Sequence, residues 1–80
     1  MVTVHTWADG IGTWHAAVFI SGSAGEAINI ARDRIGNELV DRGNAETARF
    51  VQSDDFTVRL IGVEPQPSGL TRYEYVEVGR

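Results

Sequence analysis

The chain has no cysteine, a single methionine and two prolines in its 80 residues, and all seven of its basic residues are arginine. Without cysteine it has no disulfide and no thiolate metal site, which suits a reducing compartment. The absence of lysine answers no folding requirement. Arginine codons are GC-rich and lysine codons are not, so a high-GC genome accounts for it. The N-terminal MVTVHTWADG has neither a basic region nor a long apolar run, so no signal peptide is expected. No segment approaches the roughly 20 apolar residues of a membrane span. A concentrated basic surface is missing as well. The formal charge is −4, with acidic residues spread along the chain, which argues against a nucleic-acid backbone binder. Arg32, Arg34, Arg42 and Arg49 are interleaved with Asp33, Glu38, Asp41 and Glu46, the pattern of a solvated, ion-paired helix.

What is present is organised around Ser23 to Gly43, SAGEAINIARDRIGNELVDRG. Ser23 followed three residues later by Glu26 is a capping-box pattern. Gly43 stands where a left-handed residue closes a helix, just after Arg42, whose charge suits the negative end of the dipole. Between these ends Ala24, Ile28, Ala31, Ile35 and Leu39 recur at three-four spacing as one apolar stripe. Such a helix is roughly 30 Å long, enough to cross a small sheet. Gly36 lies inside it at a cost of about 1 kcal/mol relative to alanine, either tolerated or permitting close approach to a neighbour. Ile30 and Val40 fall off the stripe, as scattered surface residues or as a second contact face.

The flanks read as strands. Val2 to Trp7 alternates, Asp9-Gly10 with Gly12 is a turn signal, and Thr13 to Ile20 alternates again. Trp14, Ala16, Val18 and Ile20 then share one face, and His15, Ala17 and Phe19 the other. Asn44 to Gln52 is ambiguous between a short turn of helix capped by Asn44 and a strand from Arg49. Phe56 to Glu64 reads as a strand with a bulge near Gly62. Pro65-Gln66-Pro67-Ser68-Gly69 is a loop, and TRYEYVEV ending at Val78 is the last strand, with Tyr73 and Tyr75 on one face. The expectation is a single α+β domain over residues 1–80. Its order is β-β-α-β-β, a four-stranded antiparallel sheet with one helix packed on one face.

Chemistry is sparse. His5 and His15 face each other only if the hairpin pairs residues whose numbers sum to twenty. No third ligand lies near them in sequence unless Asp9 reaches in. Asp54-Asp55, Glu74 and Glu77 have no spacing of a carboxylate pair or metal cage, and Ser21-Gly22-Ser23 lacks the G-x-S-x-G form. No catalytic, cofactor-binding or metal-binding residue is assigned, and an enzyme is not expected. Large aromatic residues are more suggestive, because one helix hides only one sheet face and interface cores favour such rings. Trp7, Phe19, Ile30, Val40, Tyr73 and Tyr75 form the candidate interaction surface, and edge strands offer a second route through strand addition.

GTWHAAVFI followed by the arginine-only helix AINIARDRIGNELVDRG, in a hairpin-helix-hairpin plan, resembles the small uncharacterised proteins of actinobacteriophages over its whole length. That resemblance implies expression in a bacterial host cell, hence a cytoplasmic location, and the binding of a host or phage protein; the exposed aromatics leave a homodimer as another occupant, and the composition leads to no expectation of membrane or nucleic acid. DGIGTWHAAV and GEAINIARDRI are also similar in outline to the HicB-type antitoxin domain, although that family's Gly-Cys strand is absent. This second likeness implies an antitoxin-like or nucleic-acid-associated regulator. It would gather Arg32, Arg34, Arg49, Arg59 and Arg72 on one surface, whereas a small hydrolase would join His5, His15 and a carboxylate in a pocket.

Overall fold

The computed structural model describes residues 2–78. Strands β1 (Thr3–Ala8), β2 (Trp14–Ile20), β3 (Thr57–Pro65) and β4 (Thr71–Val78) form one antiparallel sheet in the order β1-β2-β4-β3. Helices α1 (Ala24–Arg42) and α2 (Ala45–Val51) connect β2 to β3. The architecture is therefore α+β with two helices, where one was expected. The helical segment carries the chain from β2 to the far edge of the sheet, and β4 then returns between β2 and β3. This leaves β1 and β3 as the edges.

Both hairpins close by the same device. Asp9 N–H donates to Thr13 O at 2.9 Å and Gly12 N–H to Asp9 O at 3.0 Å; Gln66 N–H donates to Leu70 O at 2.8 Å and Gly69 N–H to Gln66 O at 3.0 Å. Each is a three-residue loop ending in a left-handed glycine, Gly12 at φ 85° and Gly69 at φ 93°, the conformation glycine adopts without a Cβ penalty. Asp9 reinforces the first loop, its Oδ1 accepting from the amides of Ile11 and Thr13 at 3.0 Å each. The resulting register sets His5 opposite Ala17 and Trp7 opposite His15, so the two histidines are not cross-strand partners.

Ser23 caps α1, its Oγ accepting from the Glu26 amide at 3.3 Å, while the Glu26 carboxylate lies over Gly22. The helix buries Ala27, Ala31 and Ile35 against the sheet, and Gly36 beside Val51 and Phe56. Small residues lead this set because Ala16, Val18 and Tyr75 rise to meet it from the central strands, and alanine lets the two layers close. Ile28 and Leu39 flank the contact, and Ile30, expected towards water, is half-buried and packs on the core.

Gly36 is a point of close approach. A Cβ there would lie 3.1 Å from Val51 Cγ1 and 3.5 Å from Phe56 Cε2, so the absent side chain is what seats α2. Asn44 caps α2 by accepting from the Thr47 amide at 3.0 Å. Seven residues are too few to hold a helix alone; Phe50 meets Phe56 edge-on at 6.0 Å, and tertiary packing of this kind holds the turn. Gly43 is not left-handed as expected. It is extended, at φ −103° and ψ −165°, because the chain passes directly into the second cap. Glycine is required there for space, since a Cβ would come within 2.7 Å of Leu39 O and of Thr47.

Candidate interaction surface

The pleat sorts the side chains into a helix-covered face and an open face. Tyr73 and Tyr75 are paired with Val18 and Ala16, which places both on the covered side. Tyr75 is 1% exposed and donates its hydroxyl to Ala24 O at 2.9 Å; Tyr73, half-buried, donates to Gly22 O at 3.2 Å. These bonds tie β4 to the entry of α1. Burial, and secondarily the neighbouring Tyr73, push the Tyr75 hydroxyl above its ordinary pKa, so it remains a donor. Tyr75 is thus a core residue, which removes it from the expected surface, and Tyr73 is a half-buried strut at the helix entry.

The open face carries the other two predicted aromatics, but their rings are not bare. Trp7 stacks on His15 with centroids 5.2 Å apart and planes 13° from parallel, and His5 meets Phe19 edge-on at 5.8 Å. Arg72 lies over both Trp7, at 6.0 Å, and Phe19, at 5.9 Å, and donates to Glu74 Oε1 at 2.8 Å. His15 is held at both ends, Nε2 to Asp9 Oδ2 at 2.9 Å and Nδ1 to Glu74 Oε2 at 3.3 Å. Each ring nitrogen thus faces a carboxylate oxygen, which only accepts, so a bond forms wherever the facing nitrogen carries the proton. The bond from His15, joined by the Thr13 and Ile11 amides, holds Asp9 below its usual carboxylate pKa against a smaller opposing effect of burial. With both nitrogens committed, His15 serves as a clamp between the first hairpin loop and β4. His5 stands apart from it, beside Phe19.

Val40 is 39% exposed and lines an open groove of about 410 Å³ between α1 and α2, together with Gly36, Val51, Phe56, Arg32 and Asn37. The arginines do not gather. Arg32, Arg34 and Arg49 belong to the helical layer, while Arg59, opposite Val76, and Arg72, opposite Phe19, belong to the open sheet face. Among the described residues no group of three or more His, Asp or Glu side chains is arranged to hold a metal ion. Among the described residues no helix is long and apolar enough to cross a membrane.

The most concentrated apolar exposure lies elsewhere, on β3. Leu60 is 38% exposed, Ile61 46% and Val63 56%, whereas the other exposed large apolar side chains among the described residues, Val2, Ile11, Val40 and Val78, stand singly elsewhere. Leu60 and Val63 are paired with Tyr75 and Tyr73 and so share the helix side of the sheet, yet the helices leave them uncovered. The register shifts between Leu60 and Gly62, making Ile61 the extra residue of a bulge. Among the described residues no strand lies beside the outer edge of β3. Sequence reasoning recognised the bulge but missed the surface. The signal was available in LIGV, where apolar residues fall on both parities around a glycine. Compared with family models, curated proteins and solved structures, the chain matches none.

Proposed function

We propose that the protein is a non-enzymatic interaction module that docks a protein partner by strand addition at β3. It is read as phage-encoded, acting in the cytoplasm of an infected bacterium on a host or phage protein or on a second copy of itself. The observation that carries this is the coincidence on one edge strand of unpaired backbone and adjacent exposed Leu60, Ile61 and Val63. An edge of that kind supplies main-chain hydrogen bonds for affinity and side-chain contacts for specificity. The residues that chemistry would need are engaged otherwise, since His15 is bridged on both sides. The division of the arginines between two layers favours a protein partner over a nucleic-acid backbone.

Affinity capture from nuclease-treated bacterial lysate tests the reading, using tagged wild type, Val63→Lys and, as a control on another element, Val40→Lys. The expected result is a stoichiometric protein retained by wild type and Val40→Lys and lost with Val63→Lys. Retention by all three, or loss only with Val40→Lys, would place the contact away from β3.

A further inference from the structure

Building on the β3 reading, we infer that the occupant of this edge is β3 of a second copy, paired antiparallel about a two-fold axis at the bulge. The hydrogen-bonded pair Gln66 and Leu70 closes the β3–β4 hairpin, and bonded and open pairs alternate along an antiparallel ladder. Following the register through Glu64↔Arg72 and Val63↔Tyr73, and across the bulge to Leu60↔Tyr75, the N–H and C=O of Val63 and Leu60 turn away from β4. Those are the groups a second strand would bond.

A regular strand paired with its own copy about a two-fold axis can match only residues an even number apart, because neighbouring side chains alternate faces. The bulge lifts that restriction. With Ile61 as the extra residue, Leu60 and Val63 lie on one face, and Arg59 and Glu64 on the other. The axis between Ile61 and Gly62 therefore sets Leu60 of each copy against Val63 of the other, bonded twice. Facing bulges add the same residue to both strands, so the register is preserved on either side.

The same register brings Arg59 of each copy opposite Glu64 of the other. Both side chains are exposed. Among the described residues Arg59 has no ion-pair partner, and the Glu64 carboxylate meets only the Gln66 side-chain amide, at 3.1 Å. One strand thus carries acid and base at the two positions that a two-fold pairing makes complementary. Leu60 and Val63 of both copies would form one apolar cluster beside the helices. Pro65 has no N–H to extend the ladder, and each copy spends its single β3 edge, so assembly closes at two.

Sedimentation equilibrium at low ionic strength tests this with wild type, Arg59→Glu, Glu64→Arg and their equimolar mixture, with circular dichroism confirming each fold. Wild type dimerises, and each variant alone sets like charges together at both ends and weakens association by about tenfold or more. The mixture regains the wild-type strength, because acid again faces base at both ends. A dimer indifferent to the substitutions, or no recovery on mixing, overturns the self-pairing. A monomeric wild type also overturns it, yet the broader reading stands if Val63→Lys still loses a captured partner. Loss of neither dimer nor captured partner on altering β3 removes both.

Discussion

Replacing Tyr75 by phenylalanine removes one oxygen from a side chain that is 1% exposed, and with it the 2.9 Å bond to Ala24 O. Helix geometry gives that carbonyl a second donor, the amide four residues on, so no acceptor is orphaned. The expected cost is that of one bond, about 0.5–1.5 kcal/mol. For 80 residues, unfolding entropy near the transition is about 0.17 kcal/mol/K, so 1 kcal/mol lowers Tm by about 6 °C. Tyr75→Ala additionally empties the ring's volume between Ala16 and α1, and the expected loss is about 3–5 kcal/mol. Urea and thermal unfolding followed by circular dichroism read both. A phenylalanine variant within about 0.3 kcal/mol of wild type, with an alanine variant costing under about 1 kcal/mol, is the behaviour of a surface residue and would refute the placement of Tyr75 in the core.

Two further substitutions test the local geometry. Gly43→Ala drives a Cβ to 2.7 Å from the Leu39 carbonyl and Thr47 and should cost about 1–3 kcal/mol, whereas Gly22→Ala meets only the movable Glu26 carboxylate and should cost under about 0.5 kcal/mol; equal costs in urea titration would contradict the tight inter-helix turn. Asp9 has its folded pKa lowered below 3.8, so the stability it contributes is present above that value and lost as pH falls through the folded one. Asp9→Asn keeps the loop acceptor but not the charge. Its Tm should fall less steeply than wild type on acidification below about pH 4, and identical acid slopes would show the clamp to be inert.

The local parts of the fold are legible because their causes are local. Ser23 and Glu26 announce the start of α1, Asp9-Gly10 and Gly12 announce the first loop, and the alternation in WHAAVFI assigns its faces as found. What is not legible depends on distant residues. The order β1-β2-β4-β3 is set by where the crossover delivers β3, and no spacing encodes that. AETARFV is too short for periodicity to separate helix from strand, and it is settled by Gly36 and Phe56. The tyrosines pair up in sequence, but which face the helix covers is decided by Ala16 and Val18 across the sheet. The His15 clamp needs Glu74, 59 positions away. Of the expected surface Tyr75 is buried, Trp7, Phe19, Ile30 and Tyr73 are half-buried and Val40 is exposed, while the densest apolar patch lies on β3 instead.

Hydrogen exchange of the backbone amides of Leu60 and Val63 tests the docking edge most directly. In dilute solution both should exchange as unpaired edge amides, while neighbours bonded to β4 stay protected. Raising the protein concentration should slow both together, and Arg59→Glu should abolish that slowing. Amides of Leu60 and Val63 that remain fast at every concentration, and with the captured partner added, would contradict a role for β3 in binding.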